Sequence, residues 1–407
     1  MPAPAFWPGM THTARYKTLW HVGITITLFC LLLLGPGLSF AASSDEVSAE
    51  CNKHLAAIYN RKTSPAEKEK ARSSSHIKST FIWENDAFPA FDQTSDRQYT
   101  NGIKLSWTHN PCKYPDELSR DFLGWILTST GYDENDNIRH YYTGASFGMN
   151  MYAPNDETIA TRQTDDRPYA GWLYGGLIAS AIDSEVIEGE AIDKSIFILE
   201  MQLGVIGPKA GQREAQDFIH RNIASSRLAE GWDNQIEGQI GVNINFLYRE
   251  KEYLFNTKKW HGTWHAGINV GNVVNYINAG AILSFGRQNN EFPILPITPV
   301  FKTQKPNNQR DDYHRDDFER DELYVFIGSD YRFIATSIFI DGKGLSSHDI
   351  ELVSNVFDYF VGIAYKPANK NYKVSYKMIK RSKEFETRNS AIEDTHNFGQ
   401  LAVELYY

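Results

Sequence analysis

The sequence predicts an all-β protein, a transmembrane antiparallel β-barrel of about twelve strands with a short helix over its outer rim. Three observations carry that expectation. From about residue 79 onward apolar side chains fall at every second position, and the positions between them hold Gln, Asn, Glu and Gly, which suit a hydrated lumen. The alternating segments run about 10–13 residues, longer than ordinary strands, with Tyr and Trp near their ends. In 407 residues of mean hydropathy −0.44, only the run from Val22 to Leu34 is continuously apolar, which excludes a bundle of membrane helices.

That single run reads as a secretory signal. Arg15 and Lys17 precede it, Gly35-Pro36-Gly37 ends it, and Ser39-Phe40-Ala41 offers small residues for cleavage. Processing after residue 41 removes two cations and takes the formal charge from −9 to −11. An acidic chain without clustered Lys and Arg does not fit nucleic acid. Cys30 leaves with the signal, and Cys51 with Cys112 forms an even pair that an oxidising compartment allows to join. Residues 42–78, rich in Ser, Lys, Glu and Ala, read as a flexible periplasmic lead-in, and 79–407 as the barrel.

Strand starts fall near residues 79, 99, 140, 168, 195, 235, 260, 276, 322, 354, 371 and 396. The alternation is plain in Ala145, Phe147, Met149 and Met151, in Phe197 to Val205, in Ile240 to Phe246, in Trp264 to Val270, in Tyr359 to Tyr365, and in Tyr372 to Met378. Segment 332–341 reads either as a thirteenth strand or as an extension of the ninth. Between Gly207-Pro208 and Trp232 the period changes. Ala215, Phe218, Ile219 and Ile223 fall at helical spacing over 210–228, Gln216 and His220 share a face four residues apart, and Asp217 can pair with Arg221. The chain ends in an amphipathic strand closing on Tyr407, an ending that resembles the assembly signal of Gram-negative outer-membrane barrels.

With both termini on the periplasmic side, strand parity gathers four polar groups at one rim. These are Asn85-Asp86, Tyr99-Thr100-Asn101-Gly102, Asp165-Asp166-Arg167-Pro168-Tyr169-Ala170-Gly171 and the helix bearing His220. Each has an ordinary structural use: Asn-Asp and Asn-Gly make turns, Asp-Arg makes rim ion pairs, Thr100 can cap a turn, and His220 can be a solvated surface residue. Together they suggest hydrolysis. A helix-borne histidine can act as general base on water, and Asn85 and Asp86 offer hard oxygens to calcium. Gly144-Ala145-Ser146-Phe147-Gly148 matches the G-x-S-x-G pattern, but it lies inside an alternating strand, where a nucleophile elbow cannot form.

The ordered set Asn85-Asp86, Tyr99 to Gly102, Asp166 to Gly171, Gly204-Val205-Ile206-Gly207-Pro208, Gln216 with His220, and Trp232-Asp233-Asn234-Gln235 resembles the lipid A 3-O-deacylase family of outer-membrane barrels. The resemblance implies a monomeric, calcium-dependent ester hydrolase with an outward-facing site that releases the 3'-acyloxyacyl group of lipid A within lipopolysaccharide. By resemblance His220 activates water, Asn85, Asp86 and Thr100 hold metal and oxyanion, and Gln216 lines the site. Arg162 and Arg167 would meet the substrate. The family's carboxylate beyond the helix histidine is replaced here by the neighbourhood of Ser226 and Arg227, with Glu230 a candidate substitute. Two other readings stay open: an inactive channel or scaffold, and a phospholipase using the same machinery. Loop 287–320 is long and charged for the periplasmic side on which parity puts it.

Overall fold

The computed structural model describes residues 78–86, 88, 98–108, 138–187, 190–221, 228–254, 259–288, 321–341, 349–368, 370–389, 392 and 395–406. The signal segment, residues 42–77 of the lead-in, the three cysteines, Ser226, Arg227 and residues 289–320 lie outside them, while Lys78, the last residue expected in the lead-in, opens the first strand. Among the described residues there are fourteen strands: β1 Lys78–Asn85, β2 Gln98–Thr108, β3 Ile138–Ala153, β4 Ala170–Ile187, β5 Glu190–Ile206, β6 Gln239–Tyr253, β7 Trp260–Gly271, β8 Val274–Arg287, β9 Glu322–Ser337, β10 Ile350–Leu352, β11 Asn355–Lys366, β12 Tyr372–Ser382, β13 Phe385–Thr387 and β14 Thr395–Tyr406. Twelve close a barrel, each antiparallel to both neighbours, while β10 and β13 pair as a small separate sheet. Closure joins β1 to β14, with Lys78 opposite Tyr406 and Asn85 opposite Gly399.

All twelve expected strands form. Several are longer than the sequence pattern suggested, with β3, β4, β5 and β9 reaching 16 to 18 residues. Segment 332–341 extends the ninth strand rather than forming another: β9 continues to Ser337, and Ile338–Asp341 turns helical, which neither reading expected. The even count and up-and-down order put the ends of β1, β3, β5, β7, β9 and β12 at one rim, called here the site rim. The connection containing 289–320 joins β8 to β9 at the opposite rim.

Alternation sorts the side chains as lipid requires. Leu177, Met201, Leu203, Ile240, Ile327 and Tyr359 are more than half exposed on the outer face, an apolar surface that water would not tolerate at this extent. Aromatic rings flank the band. Trp260 packs on Phe285 at 4.6 Å near one end, and Tyr331 on Phe357 at 4.9 Å near the other.

The lumen departs from a uniformly hydrated interior. Ile178, Ile182, Ile196, Ile198, Leu247, Ile282, Phe326 and Phe360 point inward and pack together as an apolar layer across the barrel. Nearer the site rim, buried charges bridge strand to strand. Arg332 reaches Asp330 and Asp358 at 2.8 Å each, and Arg381 reaches Asp358 at 2.7 Å. Lys104 meets Glu200 at 2.7 Å, where Glu200 also accepts from Ser146 at 2.5 Å. Ser146 is therefore a strand residue tied to a carboxylate, and at Gly148 a Cβ would strike the Tyr174 ring. At Gly144 a Cβ would strike the Trp107 carbonyl, so both ends of the G-x-S-x-G match have a packing explanation. Apolar side chains packed across the lumen of a barrel of this size are not the lining an aqueous pore needs. In a planar bilayer the purified protein is expected to show no porin-like conductance, and a stable open channel of porin magnitude would contradict this account of the lumen.

Candidate functional site

The end of β1 is built around the Thr100 carbonyl. It accepts Asn85 Nδ2 at 3.1 Å and the Asp86 backbone N–H at 3.4 Å. On the other side of β2 the register with β3 skips a residue: Tyr99 faces Tyr152 and Asn101 faces Met151, so Thr100 is an extra residue in a bulge. The bulge turns Tyr99 into the lumen while Asn101, cross-strand from Asn85, keeps the outward parity of Ile103. Asp86, Thr100 and Asn101 are all buried. Thr100 Oγ1 and Asn101 Oδ1 find no hydrogen-bond partner among the described residues. Two orphaned neutral oxygens beside a buried carboxylate make an oxygen-only donor set of the kind calcium takes. That chemistry fits the expected metal, and it adds Asn101 to the residues the sequence reading had chosen.

The helix lies on the outer face of the neighbouring strands, β3 and β4. Gly207, at φ +79°, turns the chain out of β5 where a Cβ would meet the Ile236 carbonyl, and Gly211, at φ +80°, starts helix α1, Gln212–Ile219. Of the expected 210–228, the described part forms this helix, and residues 222–227 lie outside the described residues. Its orientation differs: the buried stripe is Gln212, Gln216 and His220, while Phe218 is exposed. Ala215 packs on Met151, Ala153, Tyr169, Ala229 and Trp232. Met151 and Ala153 point out of the barrel yet are almost wholly buried, because α1 covers the outer face of β3 there. Gln212 fills the space over Gly171, where any side chain would collide with it. His220 is 5% exposed, so it is a buried residue and not a solvated one.

Gln216 is fixed from two sides. Trp232 Nε1 donates to its Oε1 at 2.6 Å, and its Nε2 donates to Glu157 Oε1 at 2.8 Å. An indole only donates and a carboxylate only accepts, so these neighbours define which end of the amide is which and leave one amide N–H for another acceptor. Glu157 is itself held through its carbonyl, which accepts Glu230 N–H at 2.9 Å and Tyr169 Oη at 3.4 Å. Glu157 was not legible as a site residue, since it lies in an irregular loop that no period marks. Glu230 contributes its backbone to this arrangement.

The loop after β3 is closed by Asp166, whose carboxylate accepts the Asn155 and Arg167 N–H groups at 2.6 Å each. Burial raises the Asp166 carboxyl above its ordinary value, against those two hydrogen bonds. Arg167 goes to the lumen side. Its guanidinium stacks over Tyr152 at 4.7 Å, reaches Glu384 at 3.2 Å, and is 1% exposed. That burial makes it a strut of the barrel mouth rather than an open contact for substrate. Arg162 is exposed, in a small cleft with Gln163, Tyr169 and Asn234. The Arg221 to Asp217 pair forms at 3.4 Å. The sheet of β10 and β13 ties to the same loop, through Thr387 Oγ1 to the Asp165 carbonyl and Asp349 N–H to the Thr164 carbonyl.

Burial would lift the Glu384 carboxyl, but Arg381 and Arg167 hold it below the usual range. Its contribution to stability is thus complete above the ordinary carboxylate pKa and is lost as pH falls through the lower folded value. Resistance to urea should drop below about pH 4, and Glu384→Gln should lack that part of the drop; an unchanged profile would contradict the pairing. Trp232→Phe leaves Gln216 Oε1 without its donor and should cost about 1–3 kcal/mol in the same unfolding measurement.

The family model described as outer membrane protein LpxR matches residues 43–407. Among solved structures, LpxR from Salmonella typhimurium superposes with a TM-score of 0.57 at 18% identity, over 82% of this chain and 100% of that one. The β domain of the Bordetella autotransporter BrkA gives 0.36 at 8% identity, over 81% and 98%. The COG4313 outer-membrane channel from Pseudomonas putida F1 gives 0.33 at 10%, over 82% and 95%. No curated protein matches the chain.

Proposed function

The chain belongs to the LpxR family of outer-membrane proteins, and from that membership we propose that it is a calcium-dependent ester hydrolase releasing the 3'-acyloxyacyl group of lipid A, with its site rim facing outward. The observation that carries the proposal is the buried polar stripe of α1 pressed against the outside of the barrel wall, on the strand next to the orphaned oxygens at the Thr100 bulge. Polar groups buried on the lipid side of a wall serve no folding purpose that an apolar stripe would not serve better. They lie on the lipid side of the wall and not on the side of a solute in the lumen.

In this reading His220 removes a proton from water, its imidazole held by the end of α1 and shielded from bulk solvent. Asn85, Asp86, Thr100 and Asn101 would hold calcium. Bound there, calcium supplies positive charge against which an ester carbonyl oxygen is polarised. Gln216, oriented by Trp232 and Glu157, offers its remaining N–H to the developing oxyanion. Arg162 supplies an exposed cation for a lipid phosphate, and Arg167 keeps the loop bearing Arg162 anchored across the barrel mouth. A phospholipase would use the same groups, and only the lipid headgroup distinguishes the two readings. The apolar layer in the lumen disfavours a channel.

Expression in a cell making standard lipopolysaccharide, followed by mass spectrometry of lipid A, tests the proposal. The expected result is loss of one acyloxyacyl mass, with loss abolished by His220→Ala and by a calcium chelator. Removal by either proton-transfer or oxyanion group typically slows such reactions by about a hundredfold or more, so Gln216→Ala should leave residual activity. Deacylation that survives His220→Ala would overturn the mechanism, and intact lipid A alongside hydrolysed glycerophospholipid would identify the phospholipase.

A further inference from the structure

On the site-rim side of the apolar layer the lumen holds an open cavity, walled from Glu84 and Tyr99 round to Arg381 and Glu384. The proposed hydrolase groups Asn85, Asp86, Thr100, Gln216 and His220 do not line it. Its charged groups are already answered by one another. Arg167 is held by Glu384 at 3.2 Å, Arg332 by Asp330 at 2.8 Å, and Arg381 by Asp358 at 2.7 Å. Glu200 is taken by Lys104 at 2.7 Å, and Glu84 accepts from Tyr99 Oη at 2.9 Å and from Gln400. An anion entering would find no uncommitted guanidinium, and a cation no uncommitted carboxylate. Each would enter at the cost of breaking a buried pair.

What the cavity offers freely is neutral. Six amides line it: Asn150, Gln202, Asn243, Asn245, Asn269 and Asn278. Asn150 and Asn245 donate through Nδ2 to the Tyr99 and Tyr276 hydroxyls at 3.3 Å each, and the Tyr99 hydroxyl, already donating to Glu84, fixes the Asn150 amide in that sense; neither Oδ1 has a partner among the described residues. Two amide acceptors therefore lack donors. Trp172 and Tyr174, stacked at 4.3 Å, add flat aromatic surface to the same wall. Amide acceptors, aromatic surface and balanced charge together match one chemistry, a molecule with many hydroxyls, apolar C–H faces and no charge. We propose that the lumen cavity is a binding site for a neutral saccharide, separate from the hydrolase site across the wall.

The test uses the full chain folded in detergent micelles, titrated with maltose and with lactose and read by saturation-transfer NMR, with glucuronate and glucosamine as charged counterparts. Saturable binding of a neutral disaccharide, weakened about tenfold in Asn245→Leu, is the expected result. Asn245→Asp, nearly the same size, introduces an unanswered carboxylate and should shift preference toward glucosamine. Heat-modifiable gel migration establishes that each variant is folded. Retention of lipopolysaccharide bearing core sugars over lipid A lacking them identifies a lipid-borne saccharide, and equal retention identifies a free one. Absence of saturable neutral-sugar binding by the folded protein, or binding unchanged in both Asn245 variants, overturns the proposal.

Discussion

Within lipid every backbone N–H and C=O must find its partner inside the protein, and the pairing of β1 with β14 is what completes that requirement here. Once the twelve strands close in an antiparallel ring, the placement of everything else follows. The end of β1, the start of β2, the loop between β3 and β4, and the segment after β5 must share a rim. Closure also divides the site into an inside and an outside. The bulge at Thr100 lies on that divide, sending Tyr99 to the lumen and leaving Asn101 in line with the lipid face.

The two sides of the wall are then put to different uses. Inside, an apolar layer and a network of arginines and carboxylates make the barrel a rigid, closed scaffold. Outside, at the same height as the mouth, α1 lies on β3 with a polar face inward. A helix that buries glutamines and a histidine while exposing a phenylalanine inverts the usual order for a protein in water. The inversion makes sense where the exposed side meets lipid and the covered side is a site. Arg167 links the halves, rooted in the lumen by Glu384 and Tyr152 while its backbone N–H closes the loop with Asp166.

The strands were legible because their signal is local and repeated: each alternation in β5, β6 or β12 is complete within one segment. Strand length and the apolar layer were not. Ile178, Ile196 and Phe360 each read as one more residue between lipid-facing neighbours, and only closure brings them together. For the site, the polar types at Asn85, Asp86, Thr100, Gln216 and His220 were readable from order and resemblance. Glu157 and Asn101 were not, because one depends on a long-range contact to Gln216 and the other on a bulge that changes facing without changing sequence pattern. Arg167 was readable as a charged rim residue, but its direction across the wall was set by Glu384, 217 residues away in sequence.

The most direct test of the outer-wall oxygens as the ion-holding half of the site is independent of catalysis. Terbium, a luminescent stand-in for calcium, can be titrated against the folded protein with excitation through tryptophan, since Trp83 lies two residues before Asn85. Saturable luminescence that calcium displaces, that disappears in Asp86→Asn, and that persists in the lumen variant Asp330→Asn is the outcome this structure predicts. Binding indifferent to Asp86→Asn, or abolished only by Asp330→Asn, would place the ion inside the barrel and contradict it.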